Sequence, residues 1–265
     1  MFPITLEMSL FSVYNKDMEG GGPIMSVKEE ASCVRRRSLW SLVWEYAPMA
    51  AVAVLIIVFA VLRQQSLLKT LPTLVTLVVQ IMMAHANRYG FLVGGCNALL
   101  YGIGYLSVGV YFSAVSSALF SFPMQIWSFF HWKKHSEGNE VAFRFMKPWV
   151  CVLTVLTTLG GWALSLAFLR PLFEGGVYPE IDAYLFVAGI VVTVLMAIRF
   201  VESQYLNLIS GILSIVMWGM IVAENPSEMN YLIISVYNVA RTAVAAVRWT
   251  VQYLHQKKEA KESLS

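Results

Sequence analysis

Apolar residues run in eight blocks along the chain, near 39–62, 66–84, 90–109, 112–132, 148–169, 181–200, 204–223 and 229–252, with polar residues collected between them. Each block is close to the roughly 20 residues a helix needs to cross a bilayer. Hydrocarbon offers no partner to a backbone N–H or C=O, so blocks of this length predict α-helices whose hydrogen bonds close within the segment. The expected fold is therefore an all-α integral membrane protein with eight transmembrane helices. Only the connections at 133–147 and 170–180 are long, which leaves no room for a soluble catalytic domain.

Composition agrees: 58% of residues are hydrophobic, 13% are charged, and the mean hydropathy is +0.64. If the amino terminus is cytoplasmic, fifteen of the 19 Lys and Arg fall on the cytoplasmic side and three, Arg63, Lys69 and Arg170, on the other, with Arg241 left inside the membrane. That asymmetry follows the positive-inside rule and places both termini in the cytoplasm. The net charge of +3 then reflects topology and gives no basic face for nucleic acid. Residues 1–38 hold a Gly20–Gly22 hinge and the Arg35–Arg37 cluster but lack the basic start and compact apolar core of a secretory signal. They are expected to form a cytoplasmic tail.

Under this topology blocks two to four and six to eight both start outside and share a rhythm, as in GGCNALLYG (Gly94–Gly102) and SGILSIVMWG (Ser210–Gly219). Two three-helix units can point the same way only if an odd number of spans separates them, and the fifth block supplies one. The expected plan is a tail (1–38), an extra amino-terminal helix (39–62), a first repeat (66–132), a linker with the fifth span (133–180, span 148–169), a second repeat (181–252) and a cytoplasmic tail (253–265). Parallel repeats of this 3+1+3 kind are a transporter architecture, with the substrate site between the halves near the midplane.

Polar residues inside the blocks are the candidates for chemistry. A central Arg costs about 2.5–3.5 kcal/mol on insertion scales, so Arg241 must face the bundle interior, either in an ion pair or against an anionic or carbonyl-bearing substrate; Asp182 is a conceivable partner. Asp182 itself reads either as a solvated residue at the outer end of its span or as a gating group. Arg199 and Glu202 are three apart, which on a helix puts them on one face as an ion pair at the inner interface. Gln125 follows Pro123, which frees a backbone carbonyl, and suits either helix packing or substrate contact. Asn97, Tyr101, Gln204, Asn207 and Asn238 are further substrate-contact candidates that could equally bond helix to helix. Asn207, Ser210, Gly211 and Ser214 form a small, polar stripe, and Trp218 falls near the same face, where it could stack on an aromatic ring. Trp40, Trp44, Trp132 and Trp249 near span ends read as interface residues. Cys33, Cys96 and Cys151 lack CxxC spacing, and His85, His131, His135 and His255 are dispersed, so no metal, disulfide framework or cofactor is expected.

FPMQIWSFFHWKK (Phe122–Lys134), IDAYLFVAGIVVTVLMAIRFVE (Ile181–Glu202) and SIVMW (Ser214–Trp218) together resemble, in order and spacing, the PnuC-type nicotinamide riboside transporter family. The resemblance runs from about Leu67 to Trp249. It implies a SWEET-like 3+1+3 fold, facilitated uptake of a vitamin-like nucleoside, and trapping by a cytoplasmic kinase. The family's W-x-x-W and following Asn fall here on Gln204, Asn207 and Gly211, and its Asn-Ser pair and later Gly on Arg241, Thr242 and Ala245. The first of these positions are associated with bound nicotinamide riboside, so thiamine, riboflavin or a (deoxy)nucleoside stays open as substrate.

No GxxxxGK[ST] loop is present to use ATP, and no HExxH or serine-histidine set to support an intramembrane enzyme. The leading expectation is thus a transporter and not an enzyme, working on a small-molecule substrate in a lipid bilayer. A substrate-binding membrane subunit of an ATP-driven vitamin importer is the alternative from another class, and a homo-oligomer is compatible with either.

Overall fold

The computed structural model describes residues 39–134, 136–137 and 140–262. The expectations for the 1–38 tail, Cys33 and His135, and for the side chains of Trp40 and Trp44, lie outside what is described. The chain divides into Met1–Tyr46 and Ala47–Ser265, and the packing below belongs to the second unit.

Among the described residues the chain is helical almost throughout. Its long elements are α1 (Leu39–Leu62), α2 (Leu67–Ala84), α3 (Tyr89–Val108), α4 (Tyr111–Val115) running through a π-helical turn (Ser116–Ser121) into α5 (Phe122–Lys134), α6 (Pro148–Phe168), α7 (Pro179–Ala197), α8 (Glu202–Glu224) and α9 (Met229–Glu262). The two-residue strands Ser136–Glu137 and Glu140–Val141 pair antiparallel in the loop after α5. By length and composition, α2, α3, α6, α7 and α8 are apolar enough to cross a membrane.

Packing closes a ring: α2 lies on α3, α3 on α4 and α5, α4 and α5 on α7, α7 on α8, α8 on α9, and α9 back on α2. α6 packs chiefly on α7 and leaves Val152, Leu153, Val155, Leu156, Leu159 and Leu164 exposed, an apolar surface suited to lipid or another apolar partner. In α1, Ile56 is buried against Leu77, Ile234 and Tyr237 of α2 and α9.

Two prolines shape the helices that wall the ring. Pro123 cannot donate to the carbonyl of residue 119, and the turn before it opens into the π-helix, with Phe122 N–H reaching back to Ser117 O. In α2, the Pro72 carbonyl accepts from Thr76 Oγ1 at 2.8 Å and from Asn97 Nδ2 at 3.0 Å, so a side chain of α3 is tied to the α2 backbone. The last block outruns its expected end at 252, because the good helix formers of QKKEAKE carry α9 on to Glu262. That extension is held by Tyr253 against Phe145, with ring centroids 4.5 Å apart, and by Gln256 Oε1 accepting from Phe143 N–H at 3.0 Å.

Three expectations are corrected here. Asp182 is not a solvated boundary residue: it is 1% exposed. Its two carboxylate oxygens accept from the backbone N–H groups of Phe112 and Ser113 at 2.9 and 3.0 Å and from Ser113 Oγ at 2.5 Å, so it caps the start of α4 across the fold and is not paired with Arg241. Arg199 and Glu202 do not share a helix face, because α7 has already ended and Arg199 sits at φ +70°. Each grips the preceding loop instead: Arg199 Nη1 donates to Ala142 O at 3.1 Å, and Glu202 Oε1 accepts from Met146 N–H at 2.8 Å. Trp132 and Trp249 are core residues, at most 1% exposed, packed with Phe91, Phe143, Met83 and Val201 and donating to the carbonyls of Met196 and Met83.

Candidate functional site

The ring lines a partly open cavity of about 250 Å³, a little under the volume typical of small-molecule sites. Its wall is built by six stretches of the chain. α8 gives Asn207, Ser210, Gly211, Ser214, Met217 and Trp218. The α4 and π-helical stretch gives Ser113, Ser116, Ser117 and Ser121. α9 gives Ser235, Asn238 and Thr242, α7 gives Leu185, Gly189 and Val192, and Gln80 and Tyr105 complete it from α2 and α3. The serines at 113, 116, 117 and 121 follow a helical spacing, so one face of this stretch is polar although the block around it is apolar. None of the lining residues carries a charge.

The polar groups of the wall are only partly engaged. Asn207 Nδ2 donates to Thr242 Oγ1 at 3.3 Å, and the hydroxyls of Ser214 and Ser235 meet at 3.2 Å, so α8 and α9 are bridged twice along the cavity. Asn238 Oδ1 is buried without a hydrogen-bond partner, as are Gln204 Nε2 and the Nε and Nη2 of Arg241.

At the Ser113 end the wall becomes aromatic. Trp218 stacks on Tyr231 with centroids 4.4 Å apart and planes 18° apart, and Tyr105 lies 5.8 Å from both rings. Tyr101 joins this group through Tyr105 and Tyr231, and its hydroxyl meets Thr76 Oγ1 at 3.0 Å. Gly104 makes the arrangement fit, since a Cβ there would run into Tyr231 Oη.

Of the residues singled out in the sequence, Asn207, Trp218 and Asn238 meet at the cavity. Asn97 is buried in the α2–α3 contact, bonded to Pro72 O and Thr76 Oγ1. Gln125 fills the space left by Gly94, where an added Cβ would strike its Oε1. Gln204 is buried at the start of α8, below the stretch of that helix that lines the cavity. Arg241 is also buried, directly beside Thr242 and three residues from Asn238. Sequence reasoning missed Gln80, Tyr105 and the serines of the π-helical stretch; the i, i+3, i+4, i+8 spacing of those serines was the available signal. Among the described residues no group of three His, Cys, Asp or Glu is placed to hold a metal.

Apolar helices around an uncharged polar cavity with an aromatic end are the build of a multi-pass membrane protein. Residues 66–251 match the nicotinamide mononucleotide transporter family, and the chain belongs to that family, one of transporters and not of enzymes. A similar curated protein is the nicotinamide riboside transporter PnuC of Neisseria mucosa, 25% identical over 167 residues, which covers 60% of this chain. The chain spans 63% of the length of that relative. Among solved structures, that of the vitamin B3 transporter PnuC aligns at a TM-score of 0.69 and 20% identity over 80% of this chain and 92% of the other, which shows a shared fold.

Proposed function

We propose that the chain is a facilitative uptake transporter for a vitamin-like nucleoside of the nicotinamide class. Nicotinamide riboside, named for the Neisseria mucosa relative, is the starting candidate. The observation that carries the reading is the cavity: hydroxyl and amide groups for sugar hydroxyls along one stretch, and Tyr105 and Trp218, the latter backed by Tyr231, for a planar heterocycle at the other. Stacking on such rings adds about 0.5–1.5 kcal/mol beyond burial. Asn207, Trp218 and Asn238 are the proposed direct contacts. Gln125, Asn97, Tyr101 and Gln204 support the wall from behind, Asp182 fixes the serine-bearing stretch, and Arg199 and Glu202 fix the loop between α5 and α6.

In this reading eight spans cross a bacterial-type inner membrane, with both termini cytoplasmic. Residues 39–62 are an extra helix, 66–132 and 181–252 are two parallel three-helix repeats, and the span 148–169 separates them. The cavity opens to each side in turn, and a cytoplasmic kinase retains the product. The ring closed by α2 against α9 and by α5 against α7 supports such a plan, since each contact joins one triplet to the other.

Uptake of labelled nicotinamide riboside or nicotinamide mononucleotide into proteoliposomes holding only this protein, without ATP, tests the reading. Equilibration of either compound across the membrane supports it. Uptake that appears only with an added ATPase and ATP would turn the assignment to a subunit of an ATP-driven importer.

A further inference from the structure

We infer that Gly189 is a specificity-determining residue of the cavity: the recess it leaves in the α7 wall receives a pentose, so that the site takes a nucleoside in preference to its bare heterocycle. The inference rests on the nicotinamide-class reading above and assigns one part of that ligand to one place.

Two glycines line the cavity, Gly189 on α7 and Gly211 on α8, and packing explains only the second. A Cβ added at Gly211 would lie 2.7 Å from Val239 Cγ2, so that glycine lets α9 approach α8. A Cβ added at Gly189 would meet no atom within 4 Å. Its backbone is ordinary helix, outside the left-handed region that Gly109 and Gly175 occupy. Glycine in a helix interior is destabilising relative to alanine, because ordering it loses more chain entropy. Neither a close neighbour nor a backbone angle accounts for that cost at Gly189. Gly160 and Gly219 have surroundings as open, but they do not line the cavity.

A side chain at this position would point inward. Leu185, Gly189 and Val192 recur at i, i+4 and i+7, one face of a helix, and all three line the cavity. Two ties fix the depth of Gly189: Asp182 accepts from the start of α4, and Trp132 Nε1 donates to Met196 O at 3.0 Å. α7 therefore runs alongside α4 and α5 in the same direction, and Gly189, seven residues from either tie, stands at mid-depth. Seven residues of helix span about 10 Å. The recess is set back by about that rise from the Ser113 end, where Tyr105 and Trp218 present their rings. Ser117 and Ser121 on the neighbouring stretch, and Ser210 and Ser214 on α8, line the same cavity.

A planar ring placed against the aromatic end carries its substituent toward mid-depth, into space with hydroxyl groups on both sides. A pentose has the bulk to fill that space and the hydroxyls to bond these serines. The heterocycle alone stops short of it.

Binding of nicotinamide riboside and of 1-methylnicotinamide, which carries a methyl in place of the ribose, to the purified full chain tests this. Affinities are read from thermal stabilisation of the wild type, G189A, G189L and G211A. Without ligand, G189A is expected to melt at or above the wild type, and G211A below it. Nicotinamide riboside is expected to bind G189A about fivefold or more weakly and G189L about fiftyfold or more weakly than the wild type, because the added groups overpack the occupied recess. The affinity of 1-methylnicotinamide for G189A is expected to change by less than about twofold, since the methyl compound leaves the recess empty. Undiminished riboside affinity in G189A and G189L, an equal loss for both compounds, or a G189A that melts well below the wild type would overturn the inference and leave the nicotinamide reading standing. If 1-methylnicotinamide stabilises none of the proteins, the riboside series decides alone. A wild type that nicotinamide riboside does not stabilise overturns both.

Discussion

Asp182 and Arg241 are both buried charges in one helical ring, and their surroundings are opposite. Asp182 accepts two backbone N–H groups and a hydroxyl from the first turn of α4, at the end of the helix where the peptide dipoles favour an anion. Arg241 is buried with its Nε and Nη2 nitrogens lacking any partner. A charge fully met by its own fold is part of the scaffold, and Arg241 is not met in that way.

The contrast is broken most forcefully at Asp182. D182A leaves two N–H groups and a hydroxyl without their acceptor, and a loss of about 3 kcal/mol or more is expected in the unfolding free energy in detergent. R241M should move the other way, stabilising the ligand-free protein by about 1–2 kcal/mol, because an uncompensated buried charge is exchanged for an apolar chain. A destabilisation as large as that of D182A would mean that Arg241 is structural after all.

Lys69 donates to the buried Glu228 at 2.6 Å, tying α2 to the turn before α9. K69M should cost about 2 kcal/mol by stranding that carboxylate, and K69M/E228M should recover most of it. At the aromatic end, W218F keeps the packing but shrinks the ring, and ligand affinity is expected to fall several-fold, in line with about 1 kcal/mol of stacking. N238A should change stability by less than about 1 kcal/mol, since its oxygen has no partner to lose, while still weakening binding. The smallest effect belongs to the half-buried Tyr178, whose hydroxyl donates to Glu224; that bond, then burial, raises its pKa. Its contribution is present below the unfolded value near 10 and is lost as pH rises through the higher folded value, so Y178F should flatten the alkaline limb of a thermal-stability profile.

Hydropathy announced the helical blocks, since length and apolarity alone decide whether a segment suits a bilayer. The polar stripe of α8 was equally legible, because Asn207, Ser210 and Ser214 recur at helical spacing. What misled was the assumption that neighbours in sequence stay neighbours on a helix: the φ of +70° at Arg199 is set by the loop it grips, and nothing in RFVE says so. Asp182 could be placed at the end of a span but not under α4, since its partners lie about seventy residues away. Trp132 and Trp249 looked like interface residues because tryptophan favours membrane boundaries, and only the fold reveals that they pack on each other, 5.7 Å apart, in the core.

The central claim is that the cavity between α8, α9 and the serine-bearing stretch is the substrate path. Its most direct test is a single cysteine at Ser214, on a background with Cys33, Cys96 and Cys151 replaced, exposed to a charged methanethiosulfonate reagent. The account predicts that S214C reacts, and that a nicotinamide nucleoside or mononucleotide which stabilises the protein slows the reaction. A cysteine that stays inert, or one that reacts at the same rate with the ligand bound, would contradict it.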